Sequence, residues 1–249
     1  MQKTLSPINI GFIKLPKKAR LAFTAPQRVL RNRMDALSDR AVQSCPAVNQ
    51  FEYRLFEILS PFDIGLRCTA LDDSASIHVV PSFTRLDEEL IPHFITPMPP
   101  KFWRHTNRPV VQISIPFYFV CDEVCYLNQL PPYMADNFHN FPGLFISGRF
   151  PTHIWPRALN MAFEWHDINR DLVVRRGDPI SYLMFETERP NAPINLIEAV
   201  ETPELVEYRQ NIEDLPKFTS NSFEFVPELQ HIRPKTLLVG KIGHGNINK

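Results

Sequence analysis

The chain has 249 residues, with 27 Lys+Arg against 27 Asp+Glu, 44% hydrophobic and 22% charged residues, which excludes a disordered tail or a fibre. Its 24 prolines are about twice the usual share of roughly 5% and its 8 glycines about half the usual share of roughly 7%, which argues against long helices and helix-only folds. The net charge of zero conceals a split: residues 1–34 carry Lys3, Lys14, Lys17, Lys18, Arg20, Arg28, Arg31 and Arg33 with no acid, a balance of +8, while the remainder sets 19 cations against 27 acids, a balance of −8.

Residues 1–28, punctuated by Pro7, Pro16 and Pro26, contain short apolar stretches without a sustained period and read as an extended basic arm. Removing residues 1–27 is therefore expected to leave the rest of the chain folded. From Val29 to Val42 the spacing of Leu30, Met34, Leu37 and Val42, with no internal Pro or Gly, predicts a short amphipathic helix. A β-rich domain follows to about residue 190. Its candidate strands are Tyr53–Leu59, Ile64–Cys68, Ile77–Val80, Val110–Val120, Leu144–Ser147, Leu159–Trp165, Leu172–Val174 and Ile180–Phe185. Polar turns separate them, Arg176-Gly177-Asp178-Pro179 among others.

Two stretches rich in proline, aromatics, Asn and His, Thr84–Arg108 and Tyr126–Phe141, interrupt the strands; long loops of this kind in a compact domain are commonly functional or interfacial. Residues 191–249 form an acidic extension. In it Glu201–Asn211 predicts a short helix capped by Thr202 with Pro203 at its first position, and a glycine-rich tail ends the chain. The pattern as a whole predicts a mainly β fold: a sandwich, jelly roll or β-clip-like barrel with one or two short helices and extended terminal arms.

Sites of chemistry are sparse in the sequence. No Walker loop, dinucleotide-binding glycine pattern, GxSxG, HExxH or paired CxxC is present. The best metal-like set is His153, Glu164 and His166, the two-histidine, one-carboxylate combination used for non-haem iron; Glu164 and His166, two apart, share a face if Leu159–His166 is a strand. Cys45, Cys68, Cys121 and Cys125 are too few for a disulfide scaffold, and reduced thiols are expected. In a strand the Cα atoms of Cys121 and Cys125 would lie about 13 Å apart, beyond bridging distance.

Residues Arg33-Met34-Asp35, Glu52–Pro61 (EYRLFEILSP) and the strand, polar turn and G-x-P-I strand of Arg176–Phe185 carry a resemblance. Over roughly residues 33–186 the chain resembles an uncharacterised bacterial and phage family known as domain of unknown function 6065, which implies an all-β fold and no assigned function. Arg176-Gly177-Asp178-Pro179-Ile180-Ser181 is also similar to the closing G-D-x-I-x-Q segment of β-clip enzymes of the deoxyuridine triphosphatase and deoxycytidine triphosphate deaminase type. That family's acidic-tyrosine sugar motif has no match in Gly143–Trp155 and its serine-rich phosphate motif is missing, so the similarity implies a fold and no catalytic residue.

The functional expectation is a non-catalytic β-domain that docks into a larger assembly, viral or phage assemblies included. The basic residues Lys14, Lys17, Lys18, Arg20, Arg28, Arg31 and Arg33 and the Pro/aromatic loops would be its contact surfaces, with protein partners or its own copies, and no cofactor. The alternative is a small-molecule-binding or metal-dependent β-barrel enzyme with a divalent metal and a pocket near His153 and His166. Nucleic acid is disfavoured, because the acidic body repels phosphate and the arm holds only Phe12 and Phe23 as stacking aromatics. With no secretory segment and no apolar run near 20 residues, a cytoplasmic or virion location without membrane insertion is expected.

Overall fold

The computed structural model describes residues 5–15, 23–29, 45–71, 74–84, 92–218 and 222–241. The helix predicted from Val29, the cations Lys17, Lys18, Arg20, Arg31 and Arg33, and the last eight residues lie outside these. In chain order the elements are β1 (Ile8–Lys14), β2 (Gln27–Arg28), α1 (Pro46–Glu52), β3 (Leu55–Leu59), β4 (Ile64–Leu71), β5 (Ser74–Val79), β6 (Ile95–Pro97), β7 (Val110–Ser114), β8 (Phe117–Val120) and β9 (Cys125–Leu130). There follow β10 (Gly143–Ile146), β11 (Gly148–Pro151), β12 (Asn160–Trp165), β13 (Leu172–Val174), β14 (Pro179–Thr187), β15 (Ile194–Glu198), α2 (Pro203–Phe218) and α3 (Val226–Ile232).

The strands form four open sheets in the orders β15-β1-β8, β10-β12-β7-β6, β11-β9-β14-β3-β2 and β13-β4-β5, so the fold is mainly β and sandwich-like, with no closed barrel among the described residues. Aromatic side chains join the layers. Phe119 of β8 meets Phe185 of β14 at 5.5 Å between ring centroids, and Phe145, Phe163 and Trp165 stack edge-to-face at 5.0 and 4.9 Å within the four-stranded sheet. These residues belong to one continuous core.

The arm reading fails for its first half. β1 is the middle strand of its sheet, parallel to β15 and antiparallel to β8, with Ile8, Ile10, Phe12 and Ile13 buried. One face of this sheet turns Phe12, Phe117 and Phe119 into the main core. The other packs Ile13, Tyr118 and Val120 against Leu205, Tyr208 and Ile212 of α2. Burial on both faces is why Phe117–Val120 reads as an unbroken apolar run without alternation, and why Ile10, Phe12 and Ile13 do not follow a period of two.

The predicted strand Val110–Val120 is two strands in two sheets. Pro116 has no N–H to continue a ladder, and the chain changes sheets there: Ile115 N–H bonds to Leu159 O at 3.0 Å while Leu15 N–H bonds to Pro116 O at 2.9 Å. The helix predicted at Glu201–Asn211 is present and longer, ending at Phe218. Its cap is the expected one, Leu205 N–H donating to Thr202 Oγ1 at 3.2 Å. The start of the glycine-rich tail is bonded to the body as far as Lys241: Val200 N–H reaches Val239 O at 2.7 Å, and Leu237 is fully buried. In the turn before β14, Gly177 has φ of +90°, which a side chain would strain.

Candidate functional site

A buried carboxylate, Glu164, lies at one end of the sheet β10-β12-β7-β6. There Glu164 pairs in register with Leu144 and Val110, and Trp165 pairs with Gly143. β7 and β10 begin and β12 ends at this point, so the segments 98–109, 131–142 and 166–171 come together above it. Main-chain bonds hold them: Trp165 N–H donates to Pro109 O and His166 N–H to Pro142 O, each at 2.9 Å. Arg170 Nη2 donates to Asn140 O at 2.7 Å, and Trp165 Nε1 to Arg170 O at 3.2 Å.

Glu164 is 1% exposed. Its Oε1 accepts from His166 Nε2 at 3.0 Å and lies 3.5 Å from Arg108 Nη1, while its Oε2 is buried without a partner. A buried carboxylate oxygen without a donor is costly, by about 1–3 kcal/mol, so it marks a place where a donor or cation would be favourable. The expected sharing of a face by Glu164 and His166 is therefore found, with His166 one residue past the strand end. Arg108, the third polar side chain of the corner, was missed in the sequence; its signal was its place just ahead of the Val110 run.

His153 does not join this pair. It sits in the turn after β11, with Nδ1 2.8 Å from Cys125 O and 3.2 Å from Cys125 N and its ring edge-on to Tyr126 at 5.4 Å. Its own carbonyl accepts from Arg233 Nε at 2.5 Å. Among the described residues no three His, Cys, Asp or Glu side chains stand close enough to hold a metal ion, which corrects the set His153, Glu164 and His166 as a single centre. The reason is tertiary: β11 pairs with β9 in the five-stranded sheet, whereas β12 lies in the four-stranded one.

Burial is the main cause that holds the His153 imidazole below its ordinary pKa; the bond to Cys125 opposes it and the Arg233 charge adds to it. A depressed value means that the unfolded chain binds the proton more readily. Stability contributed by neutral His153 is thus complete above about pH 6.5 and is lost as pH falls through the lower folded value. The urea midpoint is expected to fall as pH drops below about 6.5, and His153→Asn, whose amide reaches as far as Nδ1, is expected to flatten that slope. An unchanged slope in the variant would assign the acid sensitivity elsewhere.

The two described cations of the proposed partner-binding set are engaged at home. Lys14 Nζ donates to Phe23 O at 2.7 Å, and Arg28 donates to Tyr53 O and, at 2.9 Å, to Ile194 O while lying over the Tyr53 and Phe56 rings. A second feature absent from the sequence reading is a cavity of about 350 Å3 between the 134–137 loop and the ends of β3 and β14. Glu57, Asp136 and Asp178 bring three carboxylates to its wall, beside Met134 and Tyr182. Asp178 is held there by Asn137 Nδ2 at 2.6 Å and by Arg175 N–H at 2.8 Å. The sequence singled out the loop Tyr126–Phe141 by composition but not the cavity beneath it.

Fold and corner together define a mainly β, sandwich-like protein with loop surfaces gathered at one sheet end. No protein-family model matches the chain, and no curated protein matches it. No helix of the described residues is long and apolar enough to cross a membrane.

Proposed function

We propose that the chain is a non-catalytic β-domain that docks into a larger assembly, with copies of itself as the partner its charge favours. The observation that carries this reading is the convergence of Pro/aromatic loops at one sheet end, where Phe102 (57% exposed) and Ile168 (37%) stand outward. His105, His139 and Arg104 of the same loops are exposed and polar. An apolar centre with a polar rim is the composition of a contact patch. The opposite charges of the first 34 residues and the remainder support association between copies, and the carboxylate-lined cavity offers a wall of matching sign.

Native mass spectrometry of the full chain tests this. A mass that is a multiple of 28.9 kDa is expected, dropping to a single chain in Phe102→Ser/Ile168→Ser with circular dichroism unchanged. A monomer at every concentration for the unaltered chain would overturn the reading. The second reading, a small-molecule or cation binder, is favoured by one observation, the unpartnered Glu164 Oε2. The same spectrum addresses it: extra mass lost in Glu164→Gln supports it, and a bare chain mass does not.

A further inference from the structure

Cys121 and Cys125 were expected to lie too far apart to bridge, on the assumption that a strand runs through both. It does not. β8 ends at Val120, residues Asp122–Val124 form an exposed turn, and β9 starts at Cys125 in a different sheet. Period-2 alternation then turns both thiols inward: Cys121 follows Phe117 and Phe119 on the core face of β8, and Cys125 precedes Leu127 and Gln129 on the core face of β9. Both cysteines are buried in the same core, at the corner where two facing sheets meet. Each thiol alters the proton affinity of the other, which puts the two within interaction range, and the Cys121 thiol donates to Asn9 O at 3.6 Å.

We propose that Cys121 and Cys125 are a redox modification site that closes reversibly into an intramolecular disulfide linking the sheet β15-β1-β8 to the sheet β11-β9-β14. The oxidant is a low-molecular-weight disulfide. Cys121 loses its proton, its thiolate attacks one sulfur of the reagent, and the first reagent thiol leaves carrying that proton. Cys125 then attacks Cys121 Sγ in the mixed disulfide, and the second reagent thiol leaves with the Cys125 proton. Two electrons pass from the dithiol to the reagent; one S–S bond breaks and one forms.

The order of attack follows from the surroundings. The hydrogen bond from Cys125 holds the Cys121 thiol below its usual range against the opposing effect of burial, while the same contact and burial push Cys125 up, so Cys121 is the first nucleophile. The exposed residues nearest the two buried thiols are those of the turn Asp122–Val124. That turn also carries the C-terminal segment, because Asp122 Oδ1 accepts from Leu237 N–H at 2.7 Å and Leu238 N–H at 3.2 Å, and Arg233 Nη2 reaches Cys121 O at 3.2 Å. The disulfide would thus fasten the loop on which residues 233–238 are hung.

Cys45→Ser removes the one exposed thiol and leaves three. Cys68, buried in β4 with its pKa pushed up to about 11 by burial, serves as an unreactive internal control. The folded variant is incubated with glutathione disulfide, quenched in acid, unfolded and alkylated. The expected result is a single alkylated thiol, Cys68, with the other two returned by dithiothreitol and a peptide spanning 121–125 lighter by two hydrogens. Three alkylatable thiols after oxidation would overturn the proposal. So would a lasting glutathione adduct on Cys121 with Cys125 free, or closure only when urea precedes the oxidant.

Discussion

A chain lacking residues 1–15 is expected not to fold, giving a random-coil circular dichroism spectrum and no cooperative urea transition. The expectation drawn from the sequence was the opposite, a removable arm. β1 supplies both ladders of its sheet, to β15 and to β8, and its removal would leave β8 and β15 with unpaired edges and expose the inner faces of Phe117, Tyr118 and Phe119. Losing five buried large side chains, Ile8, Ile10, Phe12, Ile13 and Leu15, at about 2–5 kcal/mol each matches or exceeds the whole stability of an ordinary domain, about 5–15 kcal/mol. The milder Ile10→Ala, which trims a fully buried side chain, is expected to cost roughly 3 kcal/mol in urea unfolding. A truncated chain that keeps a native near-ultraviolet spectrum and a sharp transition would show that β1 is dispensable.

The second large effect is expected at Gly143. A Cβ built there would lie 1.9 Å from the Glu164 carbonyl oxygen and 3.0 Å from Trp165 Cα, both backbone atoms that no rotamer change can move aside. Gly143→Ala must therefore push β10 off β12 at the register pair that anchors the Glu164 corner. We expect a loss of about 3 kcal/mol, at the upper end of overpacking costs, read as a fall of about 1 M in the urea midpoint. Because the displaced strand carries the 131–142 loop, the assembly state read by mass spectrometry is expected to fall with it, whereas the distant Gly177 turn is unaffected. A variant with unaltered stability would mean that the two strands separate freely at this end.

Much of the fold was legible where one physical signal acted alone. Ile64–Cys68, Leu159–Trp165 and Ile180–Phe185 were found because β-branched and aromatic runs between polar turns have few other solutions. The helix at Pro203 was found because a Thr cap and a Pro at the first turn are local chemistry. β9, β11 and β15 were missed. Their residues alternate with Asn, Gln and Arg or sit beside prolines, and only pairing with a neighbour strand tells such a segment from a loop.

The candidate site divides in the same way. The i, i+2 spacing placed Glu164 beside His166, since a strand's alternation is fixed by the backbone itself. Nothing in the sequence could place Arg108 against Glu164 or keep His153 away from it, because those relations depend on which sheet each strand enters. The cysteines show the same limit from the other side: a count of residues gave a distance for an extended chain, and a three-residue turn between two sheets instead buried both thiols in one core. The sequence by itself determined a mainly β protein of split charge with Pro/aromatic loops, since composition, alternation and capping act over a few residues. Tertiary structure alone decided that the basic N-terminal stretch becomes an inner strand and that three loops share one sheet end. Burial on both faces and strand pairing are long-range events, settled only when distant segments exclude water together.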